Sequence, residues 1–350
     1  MSEPTSETTN TTDIATLDES GLGGALAEIG QPAYRAKQLV RWLYQRLTPS
    51  FEEMTDLPAA MRSELAGRYT LSMPEMVTVE RSADGTRKYL FSLADGVRIE
   101  SVGIPTSERL TVCFSTQAGC AMGCTFCATG QGGFVRNLLP GEMAWQVALV
   151  AHDFGMRASN AVAMGQGEPF HNYDAVIGAL RIMNAEHGLG IGARHLTIST
   201  CGIVPGIDRL AREPEQFTLA LSLHSAIQQT RDRLMPGVRS WPLARVRAAL
   251  VRYAEATGRR PTLEYALIAG ENDTPREIAA LVNFTRGMLC HVNLIPVNPI
   301  TGGGSRPADA AVEEVASILR AAGTETTVRV ERGTDISAAC GQLSQNRRRP

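Results

Sequence analysis

The sequence lacks any apolar run of the roughly 18 residues that a membrane-spanning helix needs, so no membrane partner is expected. Its first twenty residues, MSEPTSETTNTTDIATLDES, carry neither a basic start nor an apolar centre, and no secretory signal is read there. They are polar and rich in Thr and Ser, so residues 1–20 are expected to form a disordered acidic tail. A reducing, cytoplasmic setting follows. In that setting seven cysteines, an odd number, speak for metal binding or catalysis against a disulfide framework.

Charge of either sign is also nearly missing in the sum. The 34 basic and 36 acidic residues leave a net −2, which by itself argues against a nucleic-acid partner. The first twenty residues, however, hold five acids and no base. Without them 34 bases face 31 acids, a balance of +3. Basic side chains cluster at Arg35, Lys37, Arg41 and Arg46, at Arg245, Arg247 and Arg252, and at Arg347 to Arg349. Each cluster is most simply a solvated face or tail; together they permit an RNA partner without demanding one.

What is present is a regular order of elements. With 43% apolar residues, the 350-residue chain can bury a sizeable core. Residues 21–75 read as helical: in AYRAKQLVRWLYQRL the apolar Leu39, Val40, Trp42, Leu43 and Leu47 recur at helical spacing, and PAAMRSELAGRY fits a second helix. Residues 76–104 alternate in period two around two Asp-Gly turns, which predicts a β-ribbon linker. From 105 onward, short apolar runs (LTVCFS, NAVAMG, RHLTIS, FTLALSL, PTLEYALI, HVNLIPV) alternate with amphipathic stretches. Six such units predict an α/β fold with parallel strands, either a doubly wound sheet or a partial TIM-type barrel. Polar segments, three of them Gly-containing, follow or end the runs: the cysteine loop, GQGEP, STCG, SLHS and NLIPVNP. Parallel α/β enzymes build their sites at such strand ends.

The densest chemistry is QAGCAMGCTFCATGQGG, with Cys120, Cys124 and Cys127 spaced C-x3-C-x2-C. Structural zinc asks for four ligands, and the nearest histidine, His152, lies 25 residues downstream. Cys113 could supply a fourth thiol, but it falls within a predicted strand. A 4Fe–4S cluster on three thiolates fits better and leaves one iron open.

That spacing, with Phe126 before the last cysteine, is the signature of radical S-adenosylmethionine (SAM) enzymes, which the chain resembles. LTVCFSTQAGCAMGCTFCATGQGGFVRNL, MGQGEP, LALSLHS, HVNLIPVNP and RGTDISAACGQL together make it similar to the RlmN/Cfr family of RNA adenine methyltransferases, most of all to its RlmN members, over residues 20–345. The resemblance implies a partial (β/α)6 barrel at 105–335, an N-terminal RNA-binding helical domain at 21–75, and a C-terminal segment at 336–350 with a methyl-carrying cysteine. It implies one 4Fe–4S cluster on Cys120, Cys124 and Cys127, and two SAM molecules per turnover. Gly167, Glu168, Ser199, Ser222, Leu223, His224 and Asn293 would contact SAM, with Asn298 ranked below Asn293.

Family chemistry further implies that Cys340 is first methylated. Its methyl is then activated by a 5′-deoxyadenosyl radical and added to the adenine ring. Loss of a ring proton, with Glu100 as acceptor, and attack of Cys113 on the Cys340 sulfur release the product. An exposed strand carboxylate is the other reading of Glu100, and a buried structural thiol that of Cys340. Cys201 and Cys290 match no catalytic position and read as small core residues. The implied partners are 23S rRNA, tRNA and a low-potential electron donor such as flavodoxin, with the enzyme a monomer. Carbon 2 of adenosine is the expected target. Cfr-like methylation of carbon 8, a radical SAM enzyme with a non-RNA substrate, and a non-catalytic iron–sulfur or zinc RNA-binding module are the alternatives.

Overall fold

In the computed structural model residues 12–298 and 300–343 are described; the basic run Arg347 to Arg349 and most of the expected tail lie outside them. The tail expectation is corrected at its C-terminal end. Asp13 accepts from the Ala15 N–H at 2.9 Å and caps a 3-10 turn, Ile14–Thr16, in which Ile14 and Ala15 are fully buried. Asp18 then caps α1 (Glu19–Glu28), accepting from Gly21 N–H at 2.8 Å. Two side-chain caps and one apolar pair thus fold a stretch that composition alone marks as tail.

The helices α2 (Arg35–Tyr44) and α3 (Ala59–Arg68) match the two helical patterns. α2 turns Leu39, Val40, Trp42 and Leu43 inward, leaves Lys37 and Arg41 exposed, and is followed by Arg46, stacked 4.0 Å from the Trp42 ring centroid. Tyr44 docks these helices on the body: its hydroxyl donates to the Ala15 carbonyl at 2.6 Å and its ring lies 5.1 Å from that of Trp145.

Residues expected as a linker form β1 (Glu75–Arg81), β2 (Arg87–Ser92) and β3 (Arg98–Pro105), an antiparallel meander turning at the two Asp-Gly pairs. It is more than a linker, because β3 pairs with β4 (Leu110–Cys113) and so extends the main sheet. The cysteine loop carries its own elements: β5 (Gln117–Gly119), α4 (Ala128–Gly132) and β6 (Phe134–Asn137), with β5 and β6 paired antiparallel.

The repeating units follow as α5 (Pro140–Phe154), β7 (Ala158–Ala163), α6 (Tyr173–Asn184) and β8 (Leu196–Thr200). Next come α7 (Val204–Leu210), β9 (Thr218–Ser222), α8 (Gln228–Leu234), α9 (Leu243–Thr257) and β10 (Thr262–Leu267). They continue with α10 (Pro275–Thr285), β11 (His291–Pro296), α11 (Asp309–Ala321) and β12 (Glu325–Val328).

Ten strands form one mixed sheet in the order β1-β2-β3-β4-β7-β8-β9-β10-β11-β12, parallel from β4 onward. The parallel strands follow one another in chain order without the reversal of a doubly wound sheet, and among the described residues no pairing closes β12 back on another strand, so this is a partial barrel. Among the described residues the parallel strands number seven, one more than the sequence pattern predicts. β12 escapes detection because it has four residues and buries only Thr326. Leu219, Leu221, Leu263, Tyr265, Val292 and Leu294 are fully buried, as expected of parallel strands covered by helices. Each such side chain contributes roughly 2 kcal/mol.

The middle basic cluster is structural. On α9 Arg247 donates to the carbonyls of Phe284 and Arg286, and Arg252 grips Asp208.

Candidate active site at the cysteine loop

Parallel strands point their C-terminal ends the same way, so the loops that follow them meet. They enclose a cavity with an empty volume of about 950 Å³, part of it open to solvent. Cys120, Cys124 and Cys127 line it together with Gly167, Glu168, Ser199, Ser222, His224, Asn298 and Cys340. All seven cysteines are free thiols. Burial pushes Cys120 up to about 12 and also raises Cys127, so these sulfurs resist ionisation until a metal takes the proton's place. Three loop thiols lining one cavity are the donor set of a 4Fe–4S cluster held at three corners, with one iron left open.

Glu168 is the buried centre of the neighbouring strand ends. Its carboxylate accepts from the N–H groups of Phe170 (3.0 Å) and Cys201 (2.7 Å) and from the Thr200 hydroxyl (2.7 Å). Its own N–H donates to the Gln117 amide oxygen at 2.9 Å. These bonds fix a carboxylate at the cavity wall, suited to an ammonium group. Gly167 beside it has φ +106°, and a Cβ there would lie 2.6 Å from that of Gln117, so only glycine lets GQGEP pass so close to the cysteine loop.

Ser199 and Ser222, at the ends of β8 and β9, bring their hydroxyls to 3.3 Å. His224 adopts a left-handed conformation (φ +55°) and packs edge-on against Phe126, ring centroids 4.8 Å apart. Its Nδ1 accepts from the Ala266 N–H at 2.9 Å, which puts the proton of the neutral ring on Nε2. Burial lowers its pKa from 6.5 to about 3. Between these values the unfolded chain binds a proton that the folded one refuses. Stability is therefore full above 6.5 and falls as the pH drops toward 3, by at most about 1.4 kcal/mol per pH unit. Urea unfolding across this range should show that slope in the wild type and lose it in His224→Gln; equal slopes would refute the assignment.

Two expected contacts, Leu223 and Asn293, are not in the cavity wall. Leu223 is fully buried and does not reach the cavity wall; its N–H donates to the Glu264 carbonyl at 3.0 Å. Asn293 is also absent from the wall, because its amide donates to the Glu264 carboxylate at 2.8 Å and accepts from Thr327 at 3.2 Å. Asn298, ranked second in the sequence, is the asparagine at the cavity. It is 4% exposed, its Nδ2 donates to the Cys340 carbonyl at 3.1 Å, and its Oδ1 has no protein partner. Asn293 lies within β11 on the face of Glu264 and is held by its neighbours there, whereas Asn298 lies past the strand end, where the cavity opens.

Cys340 is exposed at the cavity and is not a buried structural thiol. Its segment is strapped to the cysteine loop by main-chain atoms: Ala128 N–H donates to Gly341 O and the Thr129 hydroxyl to Leu343 O, both at 2.7 Å. Gly341 has φ +83°, and a Cβ there would approach the Phe126 carbonyl to 3.0 Å. Behind the strap lies a second cavity with an empty volume of about 1000 Å³, lined by Cys113, Val102, Ile104 and Arg329 and sharing Cys340 with the first. Cys113 is buried in a small apolar cluster with Val102, Ala338 and Leu343.

Glu100 is 4% exposed, which overturns the exposed-carboxylate reading. It borders neither cavity, yet on β3 it shares a face with Val102 and Ile104, which line the second. Cys290 sits in the core as expected. Cys201 does not: it lines the first cavity, where neighbouring Cys124 and burial push its thiol up. Arg329 and Glu264 also border the first cavity and carry no motif that would have marked them.

Comparison with known proteins agrees with this geometry. Residues 114–284 match the radical SAM superfamily, and residues 12–71 match the N-terminal domain of the ribosomal RNA large subunit methyltransferase. A probable dual-specificity RNA methyltransferase RlmN of Symbiobacterium thermophilum is 49% identical, over 93% of this chain and 89% of its own. Its counterpart in Pelotomaculum thermopropionicum is 47% identical, over 95% and 91%. The crystal structure of a radical SAM methyltransferase from Sphaerobacter thermophilus superposes with a TM-score of 0.89 at 45% identity, covering 96% of this chain and all of that one.

Proposed function

Because the chain belongs to the RlmN family of radical SAM RNA methyltransferases, we propose that it methylates carbon 2 of adenosine in the peptidyl-transferase region of 23S rRNA and beside the anticodon of tRNA. The observation that carries the reading is the shared wall. Cys340 borders both the cavity of the three loop cysteines and Glu168 and the cavity of Cys113. A thiol so placed can accept a group from one side and be attacked from the other.

When bound, the 4Fe–4S cluster and SAM supply the methyl group and the adenosyl radical that activates it, two SAM being used per turnover. Cys120, Cys124 and Cys127 hold the cluster. Gly167 and Glu168 receive the amino end of SAM, the carboxylate being held ready by Thr200 and the Cys201 N–H. Ser199, Ser222, His224 and Asn298 receive the nucleoside and carboxylate end, the unpartnered Asn298 Oδ1 taking a donor. Cys340 accepts the methyl by displacement and presents it to the adenine. Glu100 takes the ring proton, and Cys113 attacks the Cys340 sulfur to release the methylated base. The exposed Lys37 and Arg41 of the N-terminal helices meet RNA phosphates. The enzyme works as a cytoplasmic monomer fed by a flavodoxin-type donor.

Deletion of the gene, followed by nucleoside analysis of the rRNA and tRNA fractions, tests this. Loss of 2-methyladenosine from both is expected. Loss of a carbon-8 methyl instead, or no change in either fraction, would overturn it.

A further inference from the structure

Glu264, Asn293 and Thr327 lie opposite one another in the register of β10, β11 and β12, and their side chains form a hydrogen-bonded ladder across the three strands (2.8 and 3.2 Å). Arg329 lies two residues beyond Thr327 and so on the same face, and its N–H continues the strand pairing by donating to the Leu294 carbonyl at 2.8 Å. This backbone bond and the adjacent ladder hold the start of the Arg329 side chain. Half-buried, Arg329 lines both cavities, as Cys340 and Asn298 do, while Cys113 lines the second.

We propose that Arg329 is the positioning residue of the two-thiol exchange: its side chain, in the wall of the cavity that also holds Cys113 and Cys340, supplies the positive charge against which the buried Cys113 sulfur becomes an anion and attacks Cys340. This rests on the reading of Cys113 and Cys340 as a reacting pair. In the step itself the Cys113 proton leaves to solvent and a sulfur–sulfur bond forms. The bond from the Cys340 sulfur to its leaving group breaks, and that group departs with the electron pair.

The need for such a cation is physical. Burial and, after it, the nearby Cys340 sulfur push Cys113 up while Arg329 and an N–H from Met164 pull it back, leaving it at about 12. Arg329 itself is held above its ordinary value, chiefly by Cys340 and then by Glu264 and Cys113. Glu331 and Arg332 also border the second cavity, and Glu100 stands on the neighbouring β3 face. Among these groups Arg329 is the cation that lines both cavities and pulls the Cys113 thiol down.

The test uses the anaerobically purified holoenzyme with neither SAM nor RNA. A stoichiometric aryl disulfide, 5,5′-dithiobis(2-nitrobenzoate), caps the exposed Cys340, and attack by Cys113 then releases a second thionitrobenzoate. Trypsin cuts after Arg332 and Arg347, so peptide 333–347 contains Cys340 as its sole cysteine and reports the cap and the disulfide by mass. Near neutral pH, Arg329→Gln should slow the second release on the order of tenfold and shift its pH profile upward by about one unit. Arg329→Lys should restore most of the rate, which a merely structural role would not explain. An Arg329→Gln rate and profile equal to wild type would overturn the proposal. If instead the wild type and Cys113→Ala behave alike, with no Cys113–Cys340 disulfide in either, the paired-thiol reading fails and the proposal with it.

Discussion

Cys340→Ala is expected to lower RNA methylation by at least about a thousandfold while the 4Fe–4S absorbance and reductive cleavage of SAM survive. The separation is possible because the strap is held by atoms that the substitution keeps. Asn298 bonds the main-chain carbonyl of residue 340, Ala128 that of Gly341, and Thr129 that of Leu343. The side chain is exposed, so its truncation removes little packing. What disappears is the nucleophile in the wall between the two cavities. Serine at the same position is expected to be equally inactive, since an alkoxide is far harder to form than a thiolate. Incorporation of labelled methyl into RNA checks this, with absorbance and 5′-deoxyadenosine formation measured on the same preparation. Methylation at a tenth of the wild-type rate or better would exclude Cys340 as methyl carrier. Loss of the cluster along with activity would instead give the strap a purely structural role.

How far such a site can be read from sequence depends on how local its signal is. Cys120, Cys124 and Cys127 fall within eight residues, and the spacing itself states the number of thiols and the metal they suit. GQGEP and SLHS were legible for a similar reason, because chemistry concentrated at the ends of apolar runs marks one end of a parallel sheet. The meander and the helices followed from periodicity, although its pairing partner did not: whether β3 joins β4 depends on contacts between segments. β12 was missed because a four-residue edge strand with one buried side chain has no period to detect.

Within the site, the errors share a cause. Asn293 lies inside β11 and Asn298 two residues past its end. Asn293 is consumed by the Glu264–Thr327 ladder, while Asn298 bridges Cys340 and the cavity. Cys201, read as core, stands just past the end of β8 and so joins the loop cysteines at the cavity. Arg329 and Glu264 meet from separate strands, and no local pattern announces that meeting.

Cys113→Ala should leave the first half of the reaction intact and stall the second, so that enzyme and RNA accumulate as a covalent adduct. The fold should tolerate the change. Cys113 lies at the end of β4, where its backbone pairs with Val102 and Val162 in register, and alanine preserves both pairings. The lost sulfur leaves a small void among Val102, Ala338 and Leu343, worth about 1 kcal/mol or somewhat more. Methyl acceptance by Cys340 and addition to the adenine need nothing from Cys113, so both proceed. Release needs a second sulfur, and no other thiol of the chain borders the second cavity except Cys127 of the cluster loop and Cys340 itself, among the described residues. After exhaustive ribonuclease treatment, peptide 333–347 should carry the mass of one adenosine nucleotide plus a bridging carbon, in near-stoichiometric yield after a single turnover. The Cys113→Ala, Cys340→Ala double variant should show none. Free methylated RNA formed by Cys113→Ala at the wild-type rate, without adduct, would mean that the Cys340–carbon bond is broken by some other group and would remove Cys113 from the mechanism.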